Sequence, residues 1–97
     1  MNYKNIEYLK ELYSKDTERL DYILNLSEAE EIKVNNIVEE FKSKGLNNEI
    51  LIAVVNLYIA QLKYKDVKRA YAINKKNEQK GDSRRVEVKH GQVKYIE

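Results

Sequence analysis

A chain with no proline and only three glycines, Gly45, Gly81 and Gly91, has few places to stop a helix or turn a corner. Each glycine falls between stretches of regular apolar spacing. The expectation is a run of helices up to about residue 79, followed by a short hairpin. There is no internal repeat and no low-complexity tract.

The helical stretches follow from the 3.6-residue period. Ile6, Leu9 and Tyr13, with Tyr8 and Leu12, predict a helix over 2–14. Asp16 or Ser14 can cap a second, over 16–24. Ser27 with Glu30 three positions on is a capping-box pattern ahead of a helix over 27–44. Val34, Ile37, Val38 and Phe41 form its apolar stripe, and Gly45 suits a left-handed C-cap. Asn47 or Asn48 caps a helix over 48–62, apolar almost all round (Ile50, Leu51, Ala53, Val54, Val55, Leu57, Tyr58, Leu62). Such a helix is central in a core or packs against a second chain. Lys63–Lys65 reads as a brief turn, and Asp66 as the cap of a helix over 66–79. The expected inner stripe of this last helix is Val67, Ala70, Tyr71 and Ile73. Its outer stripe is Lys65, Lys68, Arg69, Ala72, Lys75 and Lys76.

Beyond the polar loop 80–83, residues 84–97 are two alternating runs around His90-Gly91, the signature of a two-residue hairpin. The turn sets the register: Lys89 opposite Gln92, Val88 opposite Val93, Glu87 opposite Lys94, Val86 opposite Tyr95. Apolar side chains then meet on one face and opposite charges on the other. The fold class expected is mostly α with a small C-terminal β-hairpin, arranged as one winged helix-turn-helix domain over 1–97.

Ninety-seven residues suffice for one small core. The absence of cysteine excludes disulfides and thiolate chemistry. No stretch approaches the roughly 18 apolar residues of a membrane span, so no membrane partner is expected. The N-terminus lacks the charged-then-apolar pattern of a signal peptide, and the expected compartment is the cytoplasm.

Charge is divided along the chain. Residues 1–62 hold seven Lys/Arg against eleven Asp/Glu, a net of −4; residues 63–97 hold eleven against five, a net of +6. A basic helix followed by a basic hairpin is the layout of a recognition helix and a wing offered to a polyanion. The DNA-contact candidates are Arg84, Arg85, Lys89, His90, Gln92 and Lys94 on the wing, and Lys65, Lys68, Arg69, Lys75 and Lys76 on the helix. Lys neutralises phosphates without reading sequence, whereas Arg and Gln can read base edges. The wing, with two Arg and a Gln, is therefore the better reader. Ala72, between the cations of the helix, permits close approach. A basic helical face is, by itself, more often a solvated surface; the charge division along this chain is what favours a ligand.

Other residues suggest no chemistry. His90 is the only histidine, so it has no Cys or His partner for a metal or a nucleophile. The Glu28/Glu30/Glu31 and Glu39/Glu40 groups read as a helix N-terminus and a solvent face. Most tyrosines sit at core spacing; Tyr64 is the least committed. No Gly-rich phosphate loop and no nucleophile-elbow serine occur. Neither an enzyme activity nor a cofactor is expected.

From Leu26-Ser27-Glu28 through the basic helix to the terminal Arg84–Glu97 hairpin, the chain resembles the relaxosome accessory proteins of clostridial conjugative plasmids, the TcpK-like winged-helix family. That resemblance implies sequence-specific binding of duplex DNA at the plasmid's origin of transfer, assistance to a relaxase, and self-association on DNA. It also implies that Arg84, Arg85, Lys89, His90, Gln92 and Lys94 are the DNA contacts. A second resemblance is to the DnaD-type domain of phage and Gram-positive replication proteins, through Leu26-Ser27 with Glu31, Glu49-Ile50 with Ala53, and Val67 with Ala70. The chain departs from that pattern near Asn74, where an aromatic residue is expected, and in ending with a wing. The competing class is a phage or plasmid protein-interaction module that works through its acidic half. Surplus apolar surface on helix 48–62 and the first helix predicts a homodimer.

Overall fold

The computed structural model describes residues 4–96. It is mostly helical and ends in one antiparallel hairpin: α1 (Lys4–Leu12), α2 (Thr17–Leu24), α3 (Glu28–Ser43), α4 (Asn48–Gln79), β1 (Arg85–Lys89) and β2 (Gln92–Ile96). The expected starts at Asn2 and the end at Glu97 lie outside the described residues. The chain divides into two compact units, Met1–Ile59 and Ala60–Glu97.

In the first unit the caps form where the residue types require them. Asp16 caps α2 by accepting from the Arg19 N–H. Ser27 and Glu30 make the reciprocal capping box of α3. Gly45 takes a positive φ of 66° after α3, and Asn47 accepts from the Ile50 N–H at the start of α4. The core is Ile6, Leu9, Tyr13, Tyr22, Ile23, Val34, Val38, Leu51, Val55 and Ile59. Leu51, Val55 and Ile59 recur every four residues, so only one face of this part of α4 is buried. Ile50, Ala53 and Leu57 are exposed.

Two polar groups are built into that core with partners. The buried Asn5 amide donates to Asn35 (2.9 Å) and Glu39 (2.6 Å) and accepts from Lys42 (2.7 Å), tying α1 to α3. The Tyr13 hydroxyl donates to Asn56 Oδ1 (2.5 Å) and lies 3.2 Å from the Ile52 carbonyl. Burial pushes the Tyr13 phenol up to about 12.

In the second unit the expected turn at Lys63–Lys65 does not form, and 48–62 and 66–79 are one helix, α4. The reason is chemical. Lys63, Tyr64 and Lys65 all tolerate helix, and nothing there removes a donor or needs a positive φ. The signal that suggested a break, the Asp66 carboxylate, serves a distant partner instead of a cap. The inner face of this part of α4 also differs from expectation. Val67 and Tyr71 are exposed (58% and 67%), while Asp66 and Asn74 are buried. Asp66, Ala70, Ile73, Asn74 and Asn77 lie along the side that carries the hairpin.

The hairpin has the register expected: Arg85 opposite Ile96, Val86 opposite Tyr95, Glu87 opposite Lys94, Val88 opposite Val93, Lys89 opposite Gln92. Val86 and Val88 are buried, whereas every residue of β2 is exposed, so β1 alone meets the helix. Val93 and Tyr95 share the valine face yet remain 41% and 54% exposed.

Candidate nucleic-acid interface

The hairpin is held to α4 by polar groups, and that attachment decides which cations meet. Pairs in an antiparallel ladder alternate between hydrogen-bonded and non-bonded. Counting from the closing pair Lys89–Gln92, Val86 faces Tyr95 in a non-bonded pair, so its own N–H and C=O point outward. Asn74 takes both: its Oδ1 accepts from the Val86 N–H (2.7 Å) and its Nδ2 donates to the Val86 carbonyl (3.1 Å). The side-chain amide thereby completes the strand edge as a neighbouring strand would.

The turn is held two helical turns away. His90 and Gly91 both have positive φ, 53° and 75°, the conformation of a type I′ turn. Their N–H groups donate to the two carboxylate oxygens of Asp66, at 2.9 and 3.1 Å. Arg69, one turn on from Asp66, donates to the Gly91 carbonyl at 3.3 Å. The tip of the ribbon is therefore fixed at three backbone atoms by two helical side chains.

Around this anchor the candidate cations divide. At about 100° per residue, Lys65, Arg69, Ala72 and Lys76 follow one another at i, i+4, i+7 and i+11 along the flank of α4 bordering the hairpin side. All four are exposed. Lys68 and Lys75 lie further round, on the side of the helix away from the hairpin, and the Lys68 ammonium rests 6.0 Å from the Tyr64 ring. On the ribbon, Arg85, Lys89, Gln92 and Lys94 project from the face opposite Val86 and Val88, with Glu87 between Arg85 and Lys89. His90 occupies the tip and is half-buried.

Two arginines already have acidic neighbours. Arg84 forms a two-point ion pair with Asp82, 3.2 Å through Nε and 3.0 Å through Nη2, and stacks 4.6 Å from the centre of the Tyr95 ring. Its guanidinium holds the Asp82 carboxyl below the usual carboxylate range. Arg85 lies 3.3 Å from Glu78. Both pairs lie at the surface, where solvent screens them, so a phosphate can displace either acid.

Sequence reasoning missed Asp66 and Asn74, the residues that hold the hairpin on α4. Their spacing of eight on a cationic helix, upstream of an X-Gly hairpin, was the available signal. Among the described residues there is no cluster of His, Cys, Asp and Glu that could hold a metal ion, and no helix long and apolar enough to cross a membrane. Comparison with protein-family models, with curated proteins and with solved structures finds no match for this chain.

Proposed function

We propose that the protein binds double-stranded DNA through Ala60–Glu97, using α4 and the hairpin as helix and wing, and that it is an accessory protein acting at a plasmid's origin of transfer. The observation that carries the DNA reading is the anchoring of the ribbon tip by Asp66 and Arg69. It sets the basic tip Lys89-His90-Gly91-Gln92 beside the flank occupied by Lys65, Arg69 and Lys76.

In this reading Lys65 and Lys76 neutralise phosphates, and Ala72 between them lets the backbone approach. The thin ribbon enters a groove, where Lys89 and Gln92 reach base edges and Arg84 and Arg85 meet the flanking strand once their acidic neighbours are displaced. Asp66 stays beneath the turn, where it keeps the ribbon in place. Lys68 and Lys75, on the other side of the helix, add long-range attraction only.

A gel-shift titration with an origin-of-transfer duplex and a random duplex tests this at several salt concentrations. Each phosphate contact contributes a slope of about −0.9 to the dependence of log affinity on log salt. Lys65→Ala with Lys76→Ala should therefore make the slope shallower by about 1.8. The origin duplex should bind more tightly than the random one. No shift of either duplex at low salt, or a slope unchanged in the double variant, overturns the proposal.

A further inference from the structure

The second unit carries another surface on α4 that the duplex reading leaves idle. Tyr64, Lys68, Tyr71 and Lys75 follow one another at i, i+4, i+7 and i+11, so they line up within about 60° of each other round the helix. All four are exposed. The stripe lies about a quarter-turn from Lys65, Arg69 and Lys76, on the side away from the hairpin, and shares no residue with that flank. Aromatic ring and ammonium alternate along it.

The two rings are 66% and 67% exposed, the most of the large hydrophobic residues described. Apolar periodicity assigned Tyr71 to the inner face, but Asp66 and Asn74 hold that side for the hairpin and the ring is left in water. Among the described residues neither phenol hydroxyl has a hydrogen-bond partner and neither lysine an ion-pair partner. The Lys68 ammonium rests 6.0 Å from the Tyr64 ring, so a cation already stands beside a stacking surface. Glu78 borders the stripe, and its charge is met by Arg85 at 3.3 Å.

We propose that this stripe binds a single strand of nucleic acid, with unpaired bases stacked on Tyr64 and Tyr71 and backbone phosphates on Lys68 and Lys75. Alternating rings and cations are what an open strand offers partners for: a π-face on every base and a charge on every phosphate. An intact duplex keeps its base faces covered by one another and cannot use the rings. The rings stand about 10.5 Å apart along the axis, against about 3.4 Å between neighbouring stacked bases, so each takes a base of its own and the strand passes over Lys68 between them. An apolar partner helix would strip water from two ammoniums set among its contacts. The stripe itself holds no aliphatic side chain with which to enter a lipid surface.

The test is fluorescence anisotropy of labelled oligothymidylate and oligouridylate with the full chain, run beside the duplex titration. Binding of either strand supports the proposal, and the tighter one names the sugar. Tyr64→Ala or Tyr71→Ala should weaken strand binding at least about fivefold, and Tyr64→Phe should retain it. Tyr64→Leu with Tyr71→Leu keeps an apolar surface but removes stacking; it should lose the strand with helical circular dichroism and duplex affinity unchanged. Lys68→Ala with Lys75→Ala should make the salt slope for the strand shallower by about 1.4. Lys65→Ala with Lys76→Ala should leave that slope as it is. A chain that binds the strand but no duplex overturns the duplex reading alone. No strand binding at low salt, strand affinity indifferent to the leucine pair, or capture by phosphatidylserine vesicles in place of either strand overturns this one.

Discussion

Asp66 does at one position what a capping residue and a salt bridge do elsewhere: one carboxylate accepts the two N–H groups that the type I′ turn leaves unpaired. Asp66→Ala should destabilise the hairpin by about 1–3 kcal/mol, the cost of unmade hydrogen bonds to a charged group. Faster amide exchange at His90 and Gly91, with α1–α3 unaffected, is the readout. Asp66→Asn, which keeps one acceptor oxygen, should lose less. His90 occupies a left-handed position where asparagine is favoured in such turns, so His90→Asn should raise hairpin stability by up to about 1 kcal/mol in denaturant unfolding. Tyr13 makes a pH prediction. Its phenol ionises near 10 when unfolded and at about 12 when folded. The folded state keeps the proton longer, so this contribution to stability is complete below pH 10 and lost as pH rises towards 12. Tyr58 is pushed up as well, by burial and by Glu30, so alkaline titration followed by tyrosinate absorbance should show a late-ionising fraction that Tyr13→Phe reduces.

The register of the hairpin was legible because a two-residue turn leaves one register, whereas the burial of Val86 and Val88 alone, with Val93 and Tyr95 left exposed, was not. The capping box at Ser27 and the C-cap at Gly45 were legible for the same reason: each is a local rule with local partners. α4 was misread in two ways, and both trace to Asp66 and Asn74. A side-chain oxygen that caps a helix and one that serves a strand 12 to 25 residues away are the same residue type in sequence. Apolar periodicity put Val67 and Tyr71 inside, but a strand edge needs donors and acceptors, so the amide of Asn74 took the inner position. Continuity of α4 is itself measurable. The amides of Lys63–Asp66 should be as protected from exchange as those of the neighbouring turns, and Lys65→Gly should lower helical stability by about 1 kcal/mol. A turn at 63–65 would leave those amides fast and that substitution neutral.

For the molecule as a whole, the division of charge survives folding as a difference between two units, net −4 over 1–59 and net +6 over 60–97. What the sequence could not show was which cations share a surface. That depends on the anchoring of the ribbon, which assigns Lys65, Arg69 and Lys76 to the hairpin flank and leaves Lys68 and Lys75 on the side of the helix away from it. In the function proposed, the second unit contacts duplex DNA with that flank and the ribbon tip. That contact is tested most directly by mapping backbone amide shifts by NMR as an origin-of-transfer duplex is added at low salt. Shifts should concentrate at Lys65, Arg69, Ala72 and Lys76 and across 84–94, with α1–α3 nearly still. Shifts confined to the acidic helices α1–α3, or none at saturating duplex, would contradict it.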